Sequence, residues 1–213
     1  MTQSLLFEPF SKDCLLNLLP KNGSVYYYPE VFDEASSSNL LNVLQESLLW
    51  SSDQLMMFGK RITTRRKVAW VGDPNCPYTY SGVQKNPQAW TADLLLIKER
   101  LEKISASEFN SCLLNLYHDG NDGMGWHSDD EKELDANAPI ASLSLGATRK
   151  FAFKNKEDKG SFSIFLENGS ALIMYPPTQE FWQHSLLKTK KTIGLRINLT
   201  FRKIIPHDKN PLF

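Results

Sequence analysis

Three stretches of the chain carry side chains that could do chemistry together. In Trp126-His127-Ser128-Asp129 a histidine and a carboxylate are one residue apart, so an extended backbone points both the same way. A second histidine, His184, follows in Phe181-Trp182-Gln183-His184-Ser185. Two imidazoles and one carboxylate on one face of a metal leave the opposite positions open. Non-haem iron(II) oxygenases use those positions for an oxidisable co-substrate and dioxygen. The third stretch reads Arg196-Ile197-Asn198-Leu199-Thr200-Phe201-Arg202. With a period of two, Ile193, Leu195, Ile197, Leu199 and Phe201 face a core, while Arg196, Asn198, Thr200 and Arg202 share the other face. Two guanidinium forks flanking an amide and a hydroxyl make a clamp for carboxylates. A further run, Cys112–Tyr117, sets Asn115 and Tyr117 on one face.

Each piece alone has a plainer explanation. An H-x-D arises by chance, a histidine among aromatics is usually core, and a strand with a polar outer face is ordinary. The order H-x-D, then H, then the arginine strand is what points to an iron site with a dicarboxylic co-substrate. His118 and His207 lack a partner pattern and are expected at the surface.

These residues need strands to position them. Short alternating runs at 112–117, 140–145, 149–154, 161–166, 170–175 and 193–203 are separated by turn pairs such as Lys159-Gly160 and Asn168-Gly169. Helices are expected earlier. One is capped by Asp33 and carries Leu40, Leu44 and Leu48 on one face. The other follows Asn86-Pro87, with Trp90, Leu94, Ile97, Leu101 and Ile104 at helical spacing. The expected class is α+β with a mainly β core, a double-stranded β-helix or jelly roll buttressed by N-terminal helices. Residues 1–50 read as an N-terminal extension with the first helix, and 51–213 as the domain proper.

With 213 residues, 24 basic and 24 acidic side chains and 41% hydrophobic residues, the chain is neutral and is long enough to bury a core. That composition excludes an intrinsically disordered chain. No apolar run reaches the ~20 residues of a membrane span, and the N-terminus is a poor signal peptide. Cys14, Cys76 and Cys112 are too few and too scattered for a disulfide framework and fit reduced thiols in a cytosolic protein. Charge is nonetheless segregated. Lys60, Arg61, Arg65, Arg66 and Lys67 form a basic run, Asp119 to Asp135 holds seven carboxylates, and Phe181 to His207 is basic again. A basic edge beside an acidic centre suits an anionic polymer around a cation-binding pocket.

The segments Asn115-Leu116-Tyr117, His127-Ser128-Asp129-Asp130, Pro139–Gly146, His184-Ser185-Leu186 and Arg196–Arg202 together resemble the AlkB family. These are Fe(II)- and 2-oxoglutarate-dependent dioxygenases that dealkylate nucleic-acid bases. The likeness covers roughly residues 50–205. Phe58-Gly59-Lys60 and Tyr78-Thr79-Tyr80-Ser81-Gly82 are similar to the branch of the animal DNA-repair homologues.

The resemblance implies His127, Asp129 and His184 as iron ligands, and Asn115, Tyr117, Arg196, Asn198, Thr200 and Arg202 as the 2-oxoglutarate site. It also implies O2 as co-substrate and release of succinate, CO2 and formaldehyde from 1-methyladenine or 3-methylcytosine. A nucleotide-recognition segment at about 51–85 would supply Phe58 as a wedge, with Gly59, Thr79 and Ser81 beside it. Tyr78 and Tyr80 would be stacking surfaces for a flipped base. Lys60, Arg65, Arg66 and Lys67 would grip phosphates, and Asp130 would accept from an exocyclic amino group. The implied partner is alkylated DNA, single- or double-stranded, with RNA as a second candidate. The protein would be a monomer without membrane contact, in a bacterial cytoplasm or a nucleus. Two other readings stay open: the same iron centre acting on a protein, lipid or small molecule, and a nucleic-acid-binding module without chemistry.

Overall fold

Period-two patterning becomes two sheets, and the helical spacing becomes a layer behind the larger one. The computed structural model describes residues 16–57, 60–74, 76, 78–80 and 83–205. In chain order the elements are β1 (Ser24–Tyr28), α1 (Glu34–Ser47), β2 (Ser51–Met57), β3 (Lys60–Gly72), β4 (Tyr78–Tyr80), β5 (Val83–Lys85), α2 (Ala92–Ser105), β6 (Ser111–Tyr117), β7 (Met124–His127), β8 (Ile140–Gly146), β9 (Arg149–Asn155), β10 (Ser161–Leu166), β11 (Ala171–Tyr175), α3 (Thr178–Phe181), β12 (Trp182–Leu186) and β13 (Arg196–Arg202). The major sheet has the order β1-β11-β8-β13-β6-β3-β2, the minor sheet β10-β9-β12-β7, and β4 pairs with β5 alone. Every strand pair is antiparallel.

The helices start where capping chemistry allows. The Asp33 carboxylate accepts from the Ser36 N–H at 2.7 Å, and Thr91 Oγ1 accepts from the Leu94 N–H at 3.3 Å. Their apolar stripes, Leu40, Leu44, Leu94, Ile97 and Leu101, pack on the outer face of the major sheet against Leu114, Leu116, Leu143, Ile173, Ile197, Leu199 and Phe201. Each such side chain contributes on the order of 1.5–3 kcal/mol through burial. Because strand residues alternate, the opposite face of β6, β8 and β13 turns toward the minor sheet and carries the polar set. The chemistry therefore sits between the sheets, while the main core sits behind one of them.

Three expectations change. The last strand begins at Arg196, not Ile193, and residues 193–195 lead into it as irregular backbone. Residues 24–50 are not an extension: β1 pairs along its whole length with β11, and α1 lies on the core. Strands β1, β2, β3, β4, β5, β7 and β12 were not legible in the sequence. β3 is rich in basic residues, and β7 is a four-residue edge strand, so neither shows apolar alternation. Trp90 precedes α2 and stacks on Phe201 with centroids 6.1 Å apart.

Gly169 ties α1 to the sheet. Its carbonyl accepts from the Val31 and Phe32 N–H groups, and its N–H donates to the Ser144 carbonyl. Its φ is +75°, and a Cβ there would lie 2.1 Å from the Phe32 carbonyl oxygen. Gly169→Ala should cost about 2 kcal/mol or more from the left-handed backbone and the clash together. Thermal denaturation should show a midpoint lower by roughly 5 °C or more. An unchanged midpoint would mean that this junction does not anchor α1.

Candidate active site

His127 and His184 are cross-strand partners at the end of the β7–β12 ladder, with ring centroids 4.3 Å apart. The His127 Nδ1–H donates to the Gly125 carbonyl at 2.9 Å, which leaves Nε2 presented 3.7 Å from Asp129 Oδ1. The turn after β7 is held at both residues that shape it. Ser128 Oγ donates to the Trp182 carbonyl, and the Asp129 N–H donates to Gln179 Oε1, each at 3.0 Å. One ligand atom from each of His127, Asp129 and His184 falls within 4.8 Å of the others, a group fit to hold a metal ion. His184 Nδ1 is buried without a hydrogen-bond partner among the described residues, so no protein bond competes for this imidazole.

The protonation states suit a cation. Burial opposes the charge on Asp129, but Arg202, then His184 and His127, hold its pKa at about 2. Arg202 Nη2 lies 2.7 Å from Asp129 Oδ1, and both side chains are buried. Burial holds His184 down at about 3 despite the pull of Asp129, so its imidazole is neutral near pH 7.

Behind the triad the two sheets flank a narrow cavity of about 50 Å³, lined by Asn115, Tyr117, Ser142, Arg196, Asn198 and Thr200 among others. Hydrogen bonds run along the polar face of β13. Arg196 Nη2 donates to Ser144 Oγ at 2.9 Å and to Asn198 Oδ1 at 3.0 Å. Asn198 Nδ2 then donates to Thr200 Oγ1 at 3.0 Å. Arg196 is 1% exposed, and its Nε and Nη1 have no partner among the described residues. Burial depresses its pKa to about 10. A buried guanidinium without a carboxylate is costly, and an incoming carboxylate relieves that cost. This is what a site for a dicarboxylic acid requires. Triad and cavity together fit iron(II) and 2-oxoglutarate.

The 2OG-Fe(II) oxygenase superfamily model matches residues 24–202. This chain belongs to that superfamily. It is 37% identical over 193 residues to mouse DNA oxidative demethylase ALKBH2, covering 85% of this chain and 81% of the relative. It is 38% identical over 204 residues to rat alpha-ketoglutarate-dependent dioxygenase alkB homolog 3, covering 90% and 68%. Among solved structures, that of OsALKBH1 superposes with a TM-score of 0.60 at 19% identity, covering 84% of this chain and 97% of that one, so it shares the jelly-roll fold. The protein is thus an Fe(II)- and 2-oxoglutarate-dependent dioxygenase of the AlkB family, with O2 as its other co-substrate. Among the described residues no helix is long and apolar enough to cross a membrane.

Within this oxygenase the structure brings together every residue of the expected metal and co-substrate sets. Two details differ. The side chain of Arg202 engages Asp129, so the clamp has one end at the metal ligand and the other at Arg196. Arg66 is no phosphate contact: it is 4% exposed, and its guanidinium donates to Asn115 Oδ1. Alternation along β3 turns Arg66 inward and leaves Arg65 and Lys67 exposed, with Arg65 paired to Asp119 at 3.0 Å. Asp130 is exposed, 3.9 Å from Lys156, on the wall of a second cavity of about 600 Å³ that shares Asp129 and Arg202 with the first. His118 is half-buried against Asp122, 2.8 Å away, instead of free at the surface.

Phe58, Gly59, Ser81 and His207 lie outside the described residues. Lys60, Tyr78, Thr79 and Tyr80 are placed only as members of β3 and β4. Sequence reasoning missed Ser142 and Ser144, whose alternation in an otherwise apolar strand was the available signal. It also missed Arg149, which is 2% exposed, donates to the carbonyls of Asp119, Asp122 and Leu187, and lies over the Tyr117 ring. Nothing in the local sequence marks that role.

Both His184 and Asp129 have depressed pKa values, so the folded state binds fewer protons than the unfolded one. Stability from His184 is complete above about 6.5 and is lost as pH falls toward 3; that from Asp129 is lost between about 3.8 and 2. The metal-free protein should melt progressively lower as pH drops from 7 to 4. His184→Gln should flatten that part of the profile. Parallel profiles for the two proteins would contradict the assignment.

Proposed function

We propose that this oxygenase is a DNA oxidative demethylase, removing N-alkyl groups of the 1-methyladenine and 3-methylcytosine type and releasing formaldehyde, succinate and CO2. The buried guanidinium of Arg196, with no carboxylate paired to it among the described residues and across the cavity from the His-Asp-His cluster, supports the reaction class. The names of relatives more than a third identical over most of their length support the substrate.

In this reading His127, Asp129 and His184 hold the iron, which supplies oxidation of a C–H bond at the expense of 2-oxoglutarate and O2. Arg196 pairs the far carboxylate of 2-oxoglutarate, with Asn115 and Tyr117 donating beside it. Arg202 keeps Asp129 ionised and oriented, so that a ligand oxygen is always presented. The β8 serines and Asn198 hold Arg196 in place, and the apolar walls Leu113, Phe151 and Leu186 exclude water. On the substrate side Asp130, on its exposed turn, accepts from the exocyclic amino group of a flipped base. Phe58, Gly59, Lys60, Tyr78, Thr79, Tyr80 and Ser81 are assigned to strand and base contacts from the resemblance. The place of action follows the substrate, in a bacterial cytoplasm or a nucleus.

The deciding assay is formaldehyde and succinate release on methylated oligonucleotides, single- and double-stranded DNA side by side with RNA. Turnover of 2-oxoglutarate should rise severalfold with methylated DNA and not with its unmethylated twin. Equal rates with both would overturn the substrate assignment. Arg196→Met should raise the KM for 2-oxoglutarate by about a hundredfold through loss of a charged, bidentate partner. An unchanged KM would remove Arg196 from the co-substrate site.

A further inference from the structure

Arg66 belongs to a run of basic residues yet points into the protein. Its Nη1 donates to Asn115 Oδ1 and lies 3.7 Å from Met124 Sδ, and both of those residues line the co-substrate cavity. The strand pairing that delivers it is tight: Val68 of β3 is opposite Asn115 of β6, and Lys67 is opposite Leu116. A guanidinium has only donors to offer. It therefore fixes the oxygen of the Asn115 amide toward itself and turns Nδ2, with two N–H groups, the other way. That nitrogen makes no hydrogen bond to the protein among the described residues, and Asn115 is 4% exposed. An amide free to flip would present its oxygen to the cavity half the time, where it repels an anion.

We propose that Arg66 is a positioning residue for the co-substrate. It locks Asn115 in the orientation whose donors face 2-oxoglutarate, and so couples the β2–β3 hairpin to the co-substrate site. The proposal rests on the reading that Asn115 contacts 2-oxoglutarate. It replaces phosphate binding as the role of Arg66. It also divides the basic run by face: Arg65 and Lys67 stay outside, and Arg66 serves the cavity.

The test is calorimetric titration of 2-oxoglutarate into the full-length chain loaded with Zn(II), so that binding is read without turnover. Arg66→Gln, which offers either an oxygen or an N–H, should weaken 2-oxoglutarate binding about tenfold or more, the value of one hydrogen bond to a charged group. Arg66→Lys keeps a donor-only group and should stay within about threefold. Asn115→Ala should weaken binding comparably, and adding Arg66→Gln to it should cost nothing further, because the two act as one unit. Affinity of Arg66→Gln for a methylated oligonucleotide, and its salt dependence, should match the unmutated protein.

Should Arg66→Gln fail to fold, the unmutated Zn(II) protein still decides. The side-chain amide resonances of Asn115, identified by their loss in Asn115→Ala, should shift when 2-oxoglutarate is added. Unshifted resonances, additive losses in the double variant, or a flattened salt dependence would each overturn the proposal. If Asn115→Ala binds 2-oxoglutarate normally, the reading of the pocket itself fails. If Asn115→Ala weakens binding while Arg66→Gln does not, only the role of Arg66 is lost.

Discussion

The buried pair between Arg202 and Asp129 is the constraint on which the site depends. Arg202 ends the central strand of the major sheet, and Asp129 follows the edge strand of the minor one, so their 2.7 Å contact fastens the two sheets at the metal ligands. Neither charge is tolerable alone at that depth. The pair fixes the carboxylate oxygen, keeps it ionised, and commits the last guanidinium of β13 to the ligand set instead of to open cavity. A salt bridge of this kind is weak evidence for stability as such. Its value here is that it selects one geometry.

At the other end of β13 the logic is reversed. Arg196 is as deeply buried, but among the described residues no carboxylate pairs with it, and its neighbours hold only one of its nitrogens. An incoming carboxylate would offset the cost of that burial. One strand thus holds two buried arginines six residues apart, Arg202 against a carboxylate of the protein and Arg196 against a hydroxyl and an amide. Their partners give the cavity two unlike ends, the His-Asp-His cluster at one and the Arg196 guanidinium at the other.

The charge pattern means something different in space than along the chain. The acidic run from Asp119 to Asp135 is divided in space. Asp119 pairs with Arg65, Asp122 is buried against His118, Asp129 is buried against Arg202, and Asp130 faces solvent beside Lys156. The basic run is split in the same way by strand alternation. Reading either run as a patch assigns Arg66 to a phosphate, when its pleat assigns it to Asn115.

What the sequence determined by itself was whatever follows from short-range periodicity. The cap at Asp33, the stripe of α1 and α2, and the two faces of β13 and β6 were legible because alternation and helical spacing depend only on neighbours along the chain. That His127, Asp129 and His184 come together was legible because their order matches a family motif. Only the tertiary structure decided what depends on strands distant in sequence. The pairing of β12 with β7 sets His184 beside His127, and that of β3 with β6 sends Arg66 to Asn115. The sheet-to-sheet contact that gives Arg202 to Asp129 and leaves Arg196 waiting for a ligand belongs to the same class. No local pattern encodes these, because a residue's partner across a sheet is fixed by register and its burial by the layer behind it.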